Sequence, residues 1–275
     1  MTVYPWREAP PAEFAVIGDP IAHSRSPVMQ TAGLRSVGRQ DRYVAVHVPR
    51  GEVHQALDHL ADRGYRGVNV TVPHKEAALA WADSADGFTR RIGAANTIDL
   101  AKRSATNTDA PGFLDTLKRL EVAPPGPVLI LGAGGSARAL APALAEAGFD
   151  LLLWNRTRSK AESIRDELAP RAKILSQPDP AGCALVVNAT SASLQGDENL
   201  EIDWPSTRAF LPPIAYDLVY GAIPTAFLNS ARAAGWRTVD GRHMLVAQGA
   251  RSLSWWIGVE PDQAAMLAAL EDSLR

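Results

Sequence analysis

The chain has 275 residues, 46% of them hydrophobic, and a formal charge of −2 from 28 basic and 30 acidic side chains. That apolar content supports one large core or two ordinary ones and argues against disorder, while charges mixed along the chain leave no broad basic face for nucleic acid and no polybasic membrane patch. The single cysteine, Cys183, cannot form an internal disulfide, the opening MTVYPWREAPPAEF lacks a signal-peptide pattern, and no run reaches about 18 apolar residues, so a cytoplasmic, non-membrane protein with small-molecule partners is expected.

Short apolar runs alternate with longer helical patterns, the signature of parallel α/β structure. FAVIGDP (14–20) predicts a first strand, PVMQTAGLRSVG a helix, RYVAVHV (42–48) a strand and EVHQALDHLADRG a second helix. VNVTVP (68–73) predicts a third strand, with Val68, Val70 and Val72 on one face and Asn69 and Thr71 on the other. Pro73 stops its ladder and Lys75 stands just beyond. A helix through ALAWAD and a strand near NTIDL (96–100) follow. The prolines of VAPPGP (122–127) cannot continue a helix, and a new unit is expected to start there.

PVLILGAGGSARALAPALAEAG (127–148) predicts a buried strand, a glycine turn and an alanine-rich helix. Gly132, Ala133, Gly134, Gly135, Ser136 and Ala137 match G-x-G-x-x-(G/A), in which the first glycine allows a tight turn and the next lets a pyrophosphate approach. Amides at the helix start would hold its charge. The second strand, FDLLLW, decides the cofactor. An NAD site usually ends that strand with a carboxylate for the ribose 2′-hydroxyl, but here it ends in NRTRSK: Asn155, Arg156, Thr157, Arg158, Ser159 and Lys160. Arg156 offers a planar fork for phosphate and no acid repels a 2′-phosphate, which favours NADP. ALVVNATSAS (184–193) and PIAYDLVY (213–220) predict two more strands. There Asn188, Thr190, Asp217 and Tyr220 could serve a cofactor or act as ordinary turn and cap residues.

Taken in order and spacing, SRSP (24–27), NVTVPHK (69–75), IGAANT (92–97), NTDAPG (107–112), GAGGSAR (132–138), NRT (155–157), NATS (188–191), YDLVY (216–220) and GRHMLVAQ (241–248) resemble the shikimate dehydrogenase family from Phe14 onward. The resemblance implies an open α/β substrate domain over residues 1–108 and a Rossmann-like NADP domain over 109–244. Helices from about 245–275 would return to complete the first, with substrate in the cleft. The implied reaction is the reversible NADPH-dependent reduction of 3-dehydroshikimate to shikimate, on the route to aromatic amino acids. Carried over residue by residue, Ser24, Ser26 and Tyr220 would meet the substrate carboxylate, Asn69, Thr71, Asn96, Asp109 and Gln248 its ring hydroxyls, and Lys75 paired with Asp109 would be the acid/base. Gly132 to Ser136 would hold pyrophosphate and Asn155 to Lys160 the 2′-phosphate end. Thr190, Leu218, Gly241 and Met244 would line the way to the nicotinamide.

The chemistry asks for such a set on its own terms. A polyhydroxy acid is recognised by pairing each rim group with a short polar side chain, and its oxidation needs a group that shuttles the hydroxyl proton. Ser26 before Pro27 also reads as a helix cap, the aspartate of NTDAPG as a turn, and Gln248 as a helix-surface residue. No H-E-x-x-H or Cys/His cluster points to a metal. Gln30 and Thr31 stand where the family often has histidine and asparagine, and Ala105 and Ser193 where it has glycine. A threonine at position 26 would have indicated quinate as substrate, and loss of Lys75 or Asp109 a non-catalytic nucleotide-binding relative. Monomer and homodimer are both compatible.

Overall fold

The computed structural model describes residues 2–190, 200–208 and 211–275. Its packing divides the chain into two compact units, Met1–Gly112 with Leu245–Arg275, and Phe113–Met244.

In the first unit, β1 (Val3–Pro5), β2 (Phe14–Gly18), β3 (Tyr43–His47), β4 (Gly67–Val70), β5 (Ser84–Ala85), β6 (Thr97–Asp99) and β7 (Ser104–Thr106) form one sheet in the order β1-β3-β2-β4-β6-β7-β5. The strands β1, β3, β2 and β4 run parallel, and β6 pairs antiparallel with both β4 and β7. Every residue of β2 and β4 is buried, as parallel strands covered on both faces require. The short β1 was not foreseen, because VYP carries too few residues to show a period. Helices α1 (Ser26–Ser36), α2 (Val53–Asp62), α3 (Lys75–Trp81) and α4 (Gly87–Ile92) fill the connections.

The strand expected over 68–73 ends early. The β4 ladder stops at Val70, and Val72 is 53% exposed instead of sharing the buried face of Val68 and Val70. Backbone pairing persists just past it: Thr71 donates its N–H to Ile17 O at 3.0 Å and Asp19 to Val72 O at 3.0 Å. Pro73, lacking an N–H, cannot continue the ladder, and α3 starts at Lys75.

The second unit holds β8 (Pro127–Leu131), β9 (Asp150–Trp154), β10 (Lys173–Ile174), β11 (Leu185–Asn188), β12 (Ile214–Asp217) and β13 (Arg237–Val239), all parallel, in the order β10-β9-β8-β11-β12-β13. Renumbered within the unit this is 3-2-1-4-5-6, the doubly wound dinucleotide-binding order, in which the progression of strands reverses between β8 and β11. Around it stand α5 (Asp109–Arg119), α6 (Gly135–Glu146), α7 (Arg158–Leu168) and α8 (Ala226–Ala233), while α9 (Arg242–Ile257) and α10 (Gln263–Asp272) follow. The second unit does not start at the prolines of 122–127: Phe113 and Leu117 of α5 already belong to its buried core, so their burial moves the boundary upstream.

Close approaches fix helix positions in the first unit. A Cβ on Gly67 would lie 2.4 Å from the Trp256 ring, and one on Gly33 2.8 Å from Leu253 and 2.9 Å from Met266. The small residues let α9 and α10 lie directly on β4 and α1.

Candidate active site

In the first unit the residues at the ends of β4 and β6, the start of α5 and one face of α9 form a buried polar cluster. Lys75, the first residue of α3, donates from Nζ to Asp109 Oδ2 at 2.5 Å, with side chains 13% and 8% exposed. Asp109 Oδ1 accepts from Asn96 Nδ2 at 2.9 Å, so both carboxylate oxygens are engaged. Asn96 also donates to Thr108 Oγ1 at 2.9 Å and to Gln248 Oε1 at 3.2 Å, while its Oδ1 accepts the Thr108 N–H at 2.8 Å. Since that backbone N–H can only donate, it fixes the Asn96 amide with its nitrogen toward Asp109. Close packing of α5 on α9 brings these groups together: a Cβ on Gly112 would sit 2.7 Å from the Gln248 backbone nitrogen.

The loop before α1 places Ser24 and Ser26 two residues apart. Ser26 is not the cap expected of it; Arg25 is, with no side-chain cap bond, and Ser24 Oγ accepts the Ser26 N–H at 3.3 Å. Pro27, fixed in φ, occupies the first turn, where its missing N–H costs nothing. Thr71 is half-buried beyond β4, and its carbonyl accepts the His74 N–H at 3.0 Å. His74, only 2% exposed, bonds through Nε2 to Val48 O at 2.7 Å, and burial lowers its pKa below the ordinary histidine value. On the outer side Asp19 pairs with His47 at 3.0 Å, and that hydrogen bond holds the Asp19 carboxyl below its usual range.

The second unit carries the residues expected to hold a nucleotide. Gly132 follows β8 with φ +106°, a backbone region that favours glycine, and a Cβ there would meet the Ala189 backbone at 3.0 Å. Helix α6 is capped by Gly134, which has no side chain to satisfy the first amides, and Ala133, Gly135 and Ser136 complete the turn. Those amides and the helix dipole suit an anion. At the end of β9, Asn155 turns back to Thr157 O at 2.8 Å, while Arg156, Thr157, Arg158 and Lys160 are exposed. Arg158 pairs with Glu162 at 2.8 Å.

The remaining expected positions of this unit lie about β11, β12 and the start of α9. Asn188 and Asp217, at the matching ends of β11 and β12, are fully buried and bonded to each other at 3.2 Å; Asp217 also accepts from Thr225 Oγ1 and the Val219 N–H. Thr190 bonds back to Asn188 Oδ1 at 2.7 Å. A Cβ on Gly241 would lie 2.1 Å from Leu218 O, and Met244 is packed in the core. Tyr220 is half-buried beyond β12, in the second unit. Ser191 and Ser193, with the end of the strand expected over 184–193, lie outside the described residues.

Sequence reasoning missed Gln30 as more than a departure from a pattern, and missed Tyr43, Thr97, Thr108 and Ser252 as parts of the cluster. Thr97 and Thr108 lay inside noted motifs. Tyr43 and Ser252 gave no signal, because one sits in an apolar strand and the other in an ordinary helical pattern. Among the described residues no helix is long and apolar enough to cross a membrane, and no group of three metal-binding side chains occurs.

Residues 16–98 match the model of the shikimate dehydrogenase substrate binding domain, and 241–271 that of the shikimate 5′-dehydrogenase C-terminal domain. A shikimate dehydrogenase (NADP(+)) of Hyphomonas neptunium is 42% identical over 262 residues, covering 90% of this chain and 93% of that protein. Its counterpart from Thermus thermophilus is 40% identical over 95% of this chain and 98% of its own length. The Thermus thermophilus shikimate 5-dehydrogenase solved in complex with NADP(H) and shikimate superposes with a TM-score of 0.84 at 38% identity, covering 95% and 99% of the two chains.

Proposed function

The chain belongs to the shikimate dehydrogenase family, and from that premise we propose that it catalyses the reversible NADP-dependent reduction of 3-dehydroshikimate to shikimate. The observation that carries the site assignment is the buried Lys75–Asp109 pair, braced by Asn96 and Gln248. A lysine amine held at one oriented carboxylate oxygen keeps a fixed position from which to take a proton from a substrate hydroxyl and return it to the carbonyl oxygen. Asp109, braced by Asn96, aligns that amine and, with Thr71 and Gln248, offers acceptors and donors to a hydroxylated ring. Ser24 and Ser26, beside a helix start whose dipole favours anions, are assigned to the carboxylate.

The second unit's residues fit NADP by their donor set: a glycine-capped helix start for pyrophosphate, and Arg156, Thr157, Arg158 and Lys160 where an NAD site would carry an acid. NADP, when bound, exchanges hydride with the carbinol carbon. Gly132 and Gly134 would let the backbone approach it, and Arg156 would clasp its 2′-phosphate. The protein acts in the cytoplasm, as a monomer or homodimer, without nucleic acid.

The test is NADPH formation on shikimate and on quinate by the purified protein. Shikimate turnover with little on quinate is expected; better turnover of quinate would reverse the substrate assignment.

A further inference from the structure

Asn69 stands in the motif that resemblance assigns to ring-hydroxyl binding, yet its side chain is fully engaged inside the protein. Its Oδ1 accepts from Tyr43 OH at 2.7 Å and from Gln30 Nε2 at 3.3 Å. Its Nδ2 has three acceptors in reach: Ser252 Oγ at 2.9 Å, Asn96 O at 3.1 Å and Thr97 Oγ1 at 3.2 Å. Two hydrogens and two lone pairs meet five partners, so no capacity is left for a ligand.

The orientation cannot be reversed. Asn96 O is a backbone acceptor and demands the Asn69 nitrogen on its side. Gln30 Nε2 must in turn face Asn69 Oδ1, because its other partner, at 3.2 Å, is Gly249 O, again a backbone acceptor. That arrangement leaves Gln30 Oε1 buried without a partner, in a side chain with no exposure. An unpaired buried acceptor is costly. The fold tolerates it while holding Asn69 in one pose, as a brace would require and a ligand contact would not.

From Asn69 the bonds lead to the reacting pair. Ser252 Oγ touches Thr97 Oγ1 at 2.8 Å and Thr108 Oγ1 at 3.1 Å. Thr97 donates to Asn96 Oδ1 at 2.9 Å, and Asn96 donates to Asp109, which receives Lys75. Building on the functional reading above, we propose that Asn69 is a positioning residue, not a substrate contact. Tyr43, Gln30 and Ser252 lock it so that the hydroxyls of Thr97, Thr108 and Ser252 keep Asn96 and the Asp109–Lys75 pair aligned.

Two variants test this, each removing one oxygen: Tyr43→Phe, which keeps the ring volume of the strand residue, and Ser252→Ala. Each folded variant is expected to lose roughly threefold to thirtyfold in kcat on shikimate, the range one hydrogen bond's worth of alignment allows. Shikimate KM should stay within about twofold, since ground-state binding is left intact. The pH profile of kcat should shift, and Lys75, followed by peptide mass, should react faster with an acetylating reagent as its amine loosens from Asp109. A merely structural role would lower the melting temperature and leave both the pH profile and the lysine reactivity unchanged, and that result overturns the proposal. A raised KM with unaltered kcat also overturns it, by making Asn69 a ligand contact after all. Should the unmodified protein fail to oxidise shikimate, the functional reading falls instead, and the Lys75 acetylation rates still decide whether the brace exists.

Discussion

Asp109 is the residue on which the site turns, because its two oxygens face two different elements: Oδ1 toward Asn96 beside β6 and Oδ2 toward Lys75 on α3. Asp109→Asn is expected to lower kcat, with part of the effect in shikimate binding, measured by steady-state kinetics. At the other ligand, Arg156 follows β9 where an acid would select NAD, so Arg156→Ala should weaken NADP by roughly tenfold or more and NAD far less. Equal loss for both cofactors in a binding titration would remove Arg156 from 2′-phosphate recognition. His74 supplies a pH prediction. Burial lowers its pKa in the folded state, so the unfolded chain binds the extra proton first as pH falls. Stability should therefore decline as pH drops through and below about 6.5, the free histidine value, and be fully present above it. Melting temperatures from pH 8 to 5 should show that slope, and His74→Gln should flatten it.

At the level of elements, glycines mark where helices and strands touch. Gly67→Ala would drive a methyl into Trp256, whose ring stacks on Phe14 at 5.0 Å and whose Nε1 donates to Ile98 O at 3.0 Å. Overpacking of this kind costs about 1–3 kcal/mol, so a melting temperature several degrees lower is expected. The elements themselves were largely legible in the sequence: β2, α1, β3, α2, the glycine turn and β9 follow from apolar period and turn residues. Legibility failed where tertiary pairing decides. Val72 alternates correctly for a strand, but the ladder has stopped at Val70 and its side chain is exposed. The prolines of 122–127 misplace the start of the second unit, because Phe113 and Leu117, on the helix that Asp109 begins, already belong to its core. In the site, Lys75, Asp109, Asn96 and Gln248 are brought together as the motifs implied. The brace behind them was unreadable, since Tyr43 and Ser252 take their meaning from neighbours 26 and 183 positions from them, at Asn69.

For the molecule as a whole, the proposed chemistry divides between the two compact units. The substrate motifs other than Tyr220 lie within Met1–Gly112 and Leu245–Arg275, and the nucleotide motifs within Phe113–Met244. Hydrogen exchange should therefore respond to each ligand in its own unit. Shikimate alone should protect amides around 24–30, 69–75 and 245–252, and NADP alone those around 132–138 and 155–160. Protection of the 155–160 segment by shikimate alone would contradict the division. The most direct test of the central claim, that Lys75 moves the substrate proton, is the turnover of Lys75→Gln on shikimate with NADP. A fall in kcat of roughly 10²–10⁴-fold, the reach of general acid–base catalysis, with little change in shikimate affinity is the predicted result. Near-normal turnover would make Lys75 an ordinary ion-pair lysine and contradict the account.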